Sequence, residues 1–410
     1  MDDNKLRQYA RMAVRMGVNI QKGQTLLINA PIYARDLARH CAQAAYDAGA
    51  REVVVFYNDE KLTRMKMENA SVETLCDVKP WIANSYLEYI KGEGSAAVLS
   101  ISGADPELLK GLDTSKIQQY SVARSKAMKE YYDYTMASRI QWCVIAVPSP
   151  AWAKRVFPDL SEEKAVEKLW DTIFKVSRVE GDAVANWSEF ARVMGARRDR
   201  INELKLTELH ITSSNGTDLH VGLRDDNIWG GVDEVSQAGY RFIPNMPTEE
   251  IFTAPHREKV NGVAYITKPY VYNGDLIEDF TLWFENGKVV RYEAKKGEEL
   301  LRQLLETDEG SDRLGEVALV PASSPINREG VLFYNTLFDE NAACHIALGR
   351  GYPTTVRGGE DMTTEQLLAK GVNDSNVHED VMIGYKDTQV TGITRTGETV
   401  RIFSDGEWVF

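Results

Sequence analysis

The residues best equipped for chemistry lie between positions 245 and 380. Val377-His378-Glu379-Asp380-Val381 contains an H-x-D step flanked by valines. In a strand alternate residues share a face, so His378 and Asp380 would project together and could hold one metal ion. Taken alone, such a step is more often a solvated strand edge. His345 lies in Asn341 to Leu348, which reads as a short helix with Asp339 as a possible N-cap. A lone histidine there is more often a satisfied core residue. Glu340 stands at the start of that helix. Positions five apart on a helix diverge by about 140°, so Glu340 and His345 reach one ion only if Glu340 lies at the bend. Glu316 opens the apolar run Glu316 to Val320. A carboxylate there is stable when exposed, paired or bound to a cation. Glu249 and Glu250 precede the apolar pair Ile251-Phe252. If they lead into a strand they face opposite ways, and only one can be a direct ligand. Of the other histidines, His256 is the most credible rival ligand. His40 falls on a helix, and His210 and His220 fall on hairpin strands.

Those residues need a scaffold. The chain has 410 residues, is 43% hydrophobic and 27% charged, and carries a net charge of −13. Its length exceeds one ordinary core, so two domains are expected. The acidic balance argues against a nucleic-acid partner. No run is long enough to span a bilayer, and no secretory signal opens the chain. Cys41, Cys76, Cys143 and Cys344 lie far apart, which suits a reducing, cytoplasmic setting and argues against a zinc ribbon.

The first half alternates strand and helix signals. Thr25 to Ala30 and Glu52 to Tyr57 flank a helical stretch, Ala34 to Ala48, that stops at Gly49. Ala96 to Ser102 and Gln141 to Val147 are further buried strands, with one long helix, Ser115 to Arg139, between them. Helices over Glu162 to Ser177, capped by Asp159, and Ala183 to Leu204 follow. The character changes near Lys205. Asn-Gly recurs at 215, 261, 273 and 286, and Asp405-Gly406 adds another hairpin signal. The expected fold is an α/β domain with a parallel sheet over 1–205, then a mostly antiparallel, metal-binding catalytic domain over 206–410. Gly92 to Ala97 matches a dinucleotide fingerprint, but helix precedes and strand follows, the wrong order for that motif. H-E-x-x-H, G-x-S-x-G and P-loop motifs are absent.

Three segments carry a resemblance: Asn245 to Pro255 (Asn-Met-Pro-Thr-Glu-Glu-Ile-Phe-Thr-Ala-Pro), Phe338 to Tyr352, and Asn373 to Asp380. Together, in order and spacing, they resemble the thermophilic aminopeptidase family, the aminopeptidase T, aminopeptidase S and PepS group. The resemblance implies a two-metal exopeptidase that releases N-terminal residues through metal-activated water. It implies Glu250, Glu316, His345, His378 and Asp380 as metal ligands, Glu340 as a further acidic position, and Tyr352 at the active site. It also implies a homodimer. Either Glu249 or Glu340 could move the proton from water to the leaving amine. Mixed carboxylate and imidazole donors point to two divalent ions, zinc or cobalt first, manganese or magnesium otherwise. The competing readings are another two-metal ester, amide or phosphate hydrolase, and a non-catalytic protein held together by metal. A structural zinc site is usually rich in sulfur, which ranks the last reading low.

Overall fold

The computed structural model describes residues 2–272 and 275–410. These form two compact units. The first comprises the chain up to Ala191 together with Asp233–Pro247, and the second comprises Arg192–Val232 with Thr248–Phe410.

The first unit is built on a four-stranded parallel sheet ordered Glu52–Asn58, Thr25–Pro31, Ala96–Ser102, Trp142–Ala146. Its two central strands are almost wholly buried, as apolar runs covered on both faces must be. The helix Arg35–Asp47 supplies the crossover between the first two strands. The single helix expected over Ser115 to Arg139 is two, Thr114–Ala127 and Lys129–Met136. The break falls at Met128, which leaves helical geometry and buries its side chain with Leu27, Val98 and Tyr131. Core burial outweighs helix continuity at that point. The helix Glu162–Val176 takes Ser161, not Asp159, at its N-cap position.

The second unit has a nine-stranded antiparallel sheet and a separate four-stranded one. Asn286 and Gly287 both adopt positive φ and close the tight hairpin between Asp275–Glu285 and Lys288–Lys296. Asp405-Gly406 does the same between Thr399–Ser404 and Glu407–Trp408. Asn215-Gly216 lies in the loop joining Leu206–Thr212 to Asp218–Gly222. Asn273-Gly274 lies outside the described residues. Asn261-Gly262 is not a turn but part of the strand Val260–Tyr265. Gly262 is needed for another reason: at φ +114° a Cβ would sit 2.1 Å from the Asp218 carbonyl oxygen of the neighbouring strand. Among the described residues no helix is long and apolar enough to cross a membrane.

The four-stranded antiparallel sheet runs His378–Met382, His345–Gly349, Leu314–Leu319, Ile251–Thr253. It differs from expectation at His345, which opens a strand and not a helix. Helical geometry ends at Ala342, and Ala343 is fully extended. A short, wholly buried apolar run fits helix or strand alike. Here strand partners on both sides decide.

Gly262→Ala is predicted to lower stability by about 1–3 kcal/mol, the usual size of a non-glycine residue forced into such a conformation. A thermal unfolding midpoint equal to that of the parent protein would contradict this reading.

Candidate metal centre

The register of the four-stranded sheet assembles the cluster. Glu316 pairs with Ala347, which pairs with Asp380, so the three form one row across three strands. Alternation along the strands puts His345, two residues before Ala347, and His378, two before Asp380, on the same face. Ala347, central and small, leaves room above it for the larger side chains around it. On the far side Phe252 pairs with Ala318, and Glu250 precedes Phe252 by two residues, so it too falls on this face. Glu316, expected to open its strand, sits inside it beside a register shift between Leu314 and Glu316.

The side chains converge. His345 Nε2 lies 3.2 Å from Glu250 Oε2, 3.5 Å from Glu316 Oε1 and 3.9 Å from Asp380 Oδ1. His378 Nε2 lies 3.4 Å from Asp380 Oδ1 and 3.7 Å from Glu316 Oε2. The two oxygens of Glu316 thus face different histidines. Each imidazole is oriented from behind. His345 Nδ1 is 3.2 Å from the Ala343 carbonyl, and His378 Nδ1 is 2.7 Å from the Arg350 carbonyl. A carbonyl only accepts, so both Nδ1 atoms donate and both Nε2 atoms are left to face the cluster.

The electrostatics are those of crowded, buried negative charge. Burial raises the carboxyl pKa of Glu316. Burial, then the charges of Glu250 and Asp380, push Glu340 well above the ordinary carboxyl range. Burial would raise Asp380 too, but the neighbouring His378 holds it below its ordinary value. Burial would lower the two imidazoles, yet Glu250 and Glu316 raise His345 well above its usual value, and Asp380 and Glu316 raise His378 to about 10. Tyr352 stacks at a tilt 4.9 Å from the His378 ring. Burial, followed by the charges of Glu316, Asp380, Glu340 and Glu250, raises its phenol well above the ordinary value. It stays protonated.

Sequence reasoning missed Asn341. Fully buried, it accepts the Glu249 backbone N–H at 2.7 Å through Oδ1. It donates through Nδ2 to the Leu337 carbonyl at 3.1 Å and to Glu340 Oε1 at 3.3 Å. It therefore ties the Glu249-Glu250 segment to the turn carrying Glu340. Its place between Glu340 and His345 was the one available signal. Glu249 itself is buried. His256 stands apart from the cluster, accepting the Glu258 N–H through Nδ1.

A metal ion fits this donor set. Among the described residues, Glu250, Glu316 and His345 each present one ligand atom within 4.8 Å of the others. The Nε2 of His345 and Oδ1 of Asp380 are buried without a hydrogen-bond partner. Nε2-to-oxygen separations of 3.2–3.7 Å match the edge of a tetrahedron of zinc bonds of about 2.0–2.1 Å, roughly 3.3–3.4 Å.

Fold and cluster together define a protein that presents a buried carboxylate and imidazole site for metal. The chain belongs to the thermophilic metalloprotease family M29, whose model matches residues 2–408. It is 44% identical over 409 residues to Aminopeptidase 2 of Geobacillus stearothermophilus, covering 100% of this chain and 98% of that protein. It is 43% identical over 407 residues to Aminopeptidase AmpS of Bacillus subtilis (strain 168), with 99% and 98% covered. The solved structure of wild-type AmpT from Thermus thermophilus superposes with a TM-score of 0.92 at 39% identity, over 99% of both chains. The family is one of metal-dependent aminopeptidases, and divalent metal use follows from membership and from the donor cluster.

Two outcomes are predicted. Asn341→Ala strands the buried Glu249 N–H, lowering stability by about 1–3 kcal/mol, and weakens metal binding by about 10- to 100-fold. Parental affinity in a metal titration would contradict the second part. The raised imidazoles hold protons in the metal-free protein that must leave when an ion binds. Metal affinity should therefore rise with pH up to about pH 10, the value to which His378 is raised, with protons released. Calorimetric titration in buffers of different ionisation enthalpy checks this; heats independent of buffer would contradict it.

Proposed function

We propose that this chain is a metal-dependent aminopeptidase that releases single residues from the free amino end of peptides. The observation that carries the proposal is the convergence of Glu250, Glu316, His345, His378 and Asp380 on one buried sheet face. These five residues are assigned as ligands of two divalent ions, zinc or cobalt first, with manganese and magnesium as substitutes. The facing of Glu316 Oε1 and Oε2 to different histidines supports the count of two. Divalent ions held there supply a Lewis acid and lower the pKa of water.

The remaining work falls to the chain's own groups. Tyr352 keeps its proton and donates a hydrogen bond to the oxygen of the scissile carbonyl as charge develops on it. Glu340, half-buried and protonated in the metal-free protein, would lose that proton to the positive charge of bound ions and, as the carboxylate, take a proton from water and return it to the leaving amine. Glu249, the other candidate from sequence, is the weaker choice, because the raised carboxyl of Glu340 responds directly to Glu250 and Asp380. A bound divalent ion would also offer a coordination position to a free, neutral amino end, which an acylated nitrogen cannot fill.

A cytoplasmic setting is supported by four free thiols, three of them buried. A homodimer is proposed on the family resemblance.

The test is removal of metal with a chelator, then single add-back of zinc, cobalt, manganese or magnesium. Turnover of free aminoacyl amides is expected to return with metal, and N-acetylated ones to remain uncut. Cleavage of both, or of neither under any metal, would overturn the proposal. Tyr352→Phe should lower kcat about 100-fold or more with an unchanged unfolding midpoint. Glu340→Gln should keep its metal and lose turnover; loss of metal would make Glu340 a ligand instead.

A further inference from the structure

A second group of ligand-type side chains lies on the nine-stranded sheet and shares no residue with the buried cluster. The strands Leu206–Thr212 and Asp218–Gly222 pair antiparallel with His210 directly opposite His220. Leu209, Ile211, Leu219 and Val221 turn inward and are buried. By alternation, Glu208, His210, Asp218 and His220 all lie on the opposite, solvent-facing side. The imidazoles stack with ring centroids 4.0 Å apart and planes 13° from parallel.

Their nitrogens converge on one oxygen. His210 Nε2 lies 2.7 Å and His220 Nε2 4.0 Å from Asp218 Oδ1. One separation is shorter and the other longer than the roughly 3.3–3.4 Å edge of a tetrahedral zinc site, so small side-chain shifts would bring both to it. Along with Glu250, Glu316 and His345, this is one of two groups among the described residues whose ligand atoms sit close enough to share an ion. Glu208 supplies the independent observation. Its Oε1 lies 2.7 Å from His220 Nδ1. A carboxylate behind Nδ1 fixes the tautomer that leaves Nε2 free to bind, the arrangement that orients histidine ligands in metal sites.

We propose that His210, Asp218 and His220 form a peripheral site for one divalent transition ion, zinc or copper(II), with Glu208 positioning His220. Two imidazoles and one carboxylate are a donor set for such ions and a poor one for calcium or magnesium. Three protein ligands leave a fourth position facing solvent. The ion would clamp two strands of the catalytic unit without entering the reaction.

The test is equilibrium dialysis of the full-length protein against zinc, with metal counted by mass spectrometry. The parent should bind one more ion per chain than the His210→Ala/His220→Ala variant, which should keep its peptidase activity and fold because His220 is exposed and His210 only half-buried on the solvent-facing side of the sheet. Bound copper(II) should show two nitrogen ligands by electron paramagnetic resonance that the double variant lacks. Glu208→Gln should weaken the extra ion about 10- to 100-fold. Equal zinc uptake by the parent and the double variant would overturn the site. The comparison is independent of the buried cluster, which is unaltered in both proteins.

Discussion

The constraint on which the catalytic unit turns is mutual repulsion among buried carboxylates. Glu250, Glu316 and Asp380 are gathered on one sheet face, with Glu340 beside them and two imidazoles between. Like charges held this close in a poorly solvated site do not stay ionised unless something positive joins them. In the metal-free protein the imidazoles take protons and some of the acids keep theirs, as the raised His345, His378, Glu316 and Glu340 values express. A divalent cation replaces those protons. The surrounding fold can then be understood as what holds the repelling groups in place until it does.

That holding is done mainly by backbone. Antiparallel pairing fixes Glu316, Ala347 and Asp380 in a row, and carbonyls of Ala343 and Arg350 set both histidine rings. Groups assigned to proton and hydrogen-bond work, Glu340 and Tyr352, lie instead on the turns flanking the His345 strand. Strands give precision to the ligands, and turns let the remaining groups meet the substrate. Asn341 links the two regimes, because its amide bonds the Glu249 backbone and the Glu340 carboxylate at once.

Much of this was legible in the sequence where a local period sufficed. The H-x-D step at 378–380 has period two, and its prediction of one shared face agrees with the strand. The parallel sheet was legible because its strands are long apolar runs punctuated by glycine and proline. His345 was misread, since Asn-Ala-Ala-Cys-His-Ile-Ala-Leu suits a helix by composition and only the flanking strands make it extended. Asn341 could not be assigned a role, because its partner Glu249 lies 92 residues away. The His210–His220 pair was placed on hairpin strands, but their direct opposition depends on register, which the intervening turn sets and composition does not.

The most direct test of the account is anomalous diffraction from crystals of the zinc-loaded protein, collected on both sides of the zinc absorption edge. Anomalous density is expected within bonding distance of Glu250, Glu316 and His345, with a second peak on the His378–Asp380 side of Glu316. An active, metal-loaded protein with no anomalous density at this cluster would contradict it.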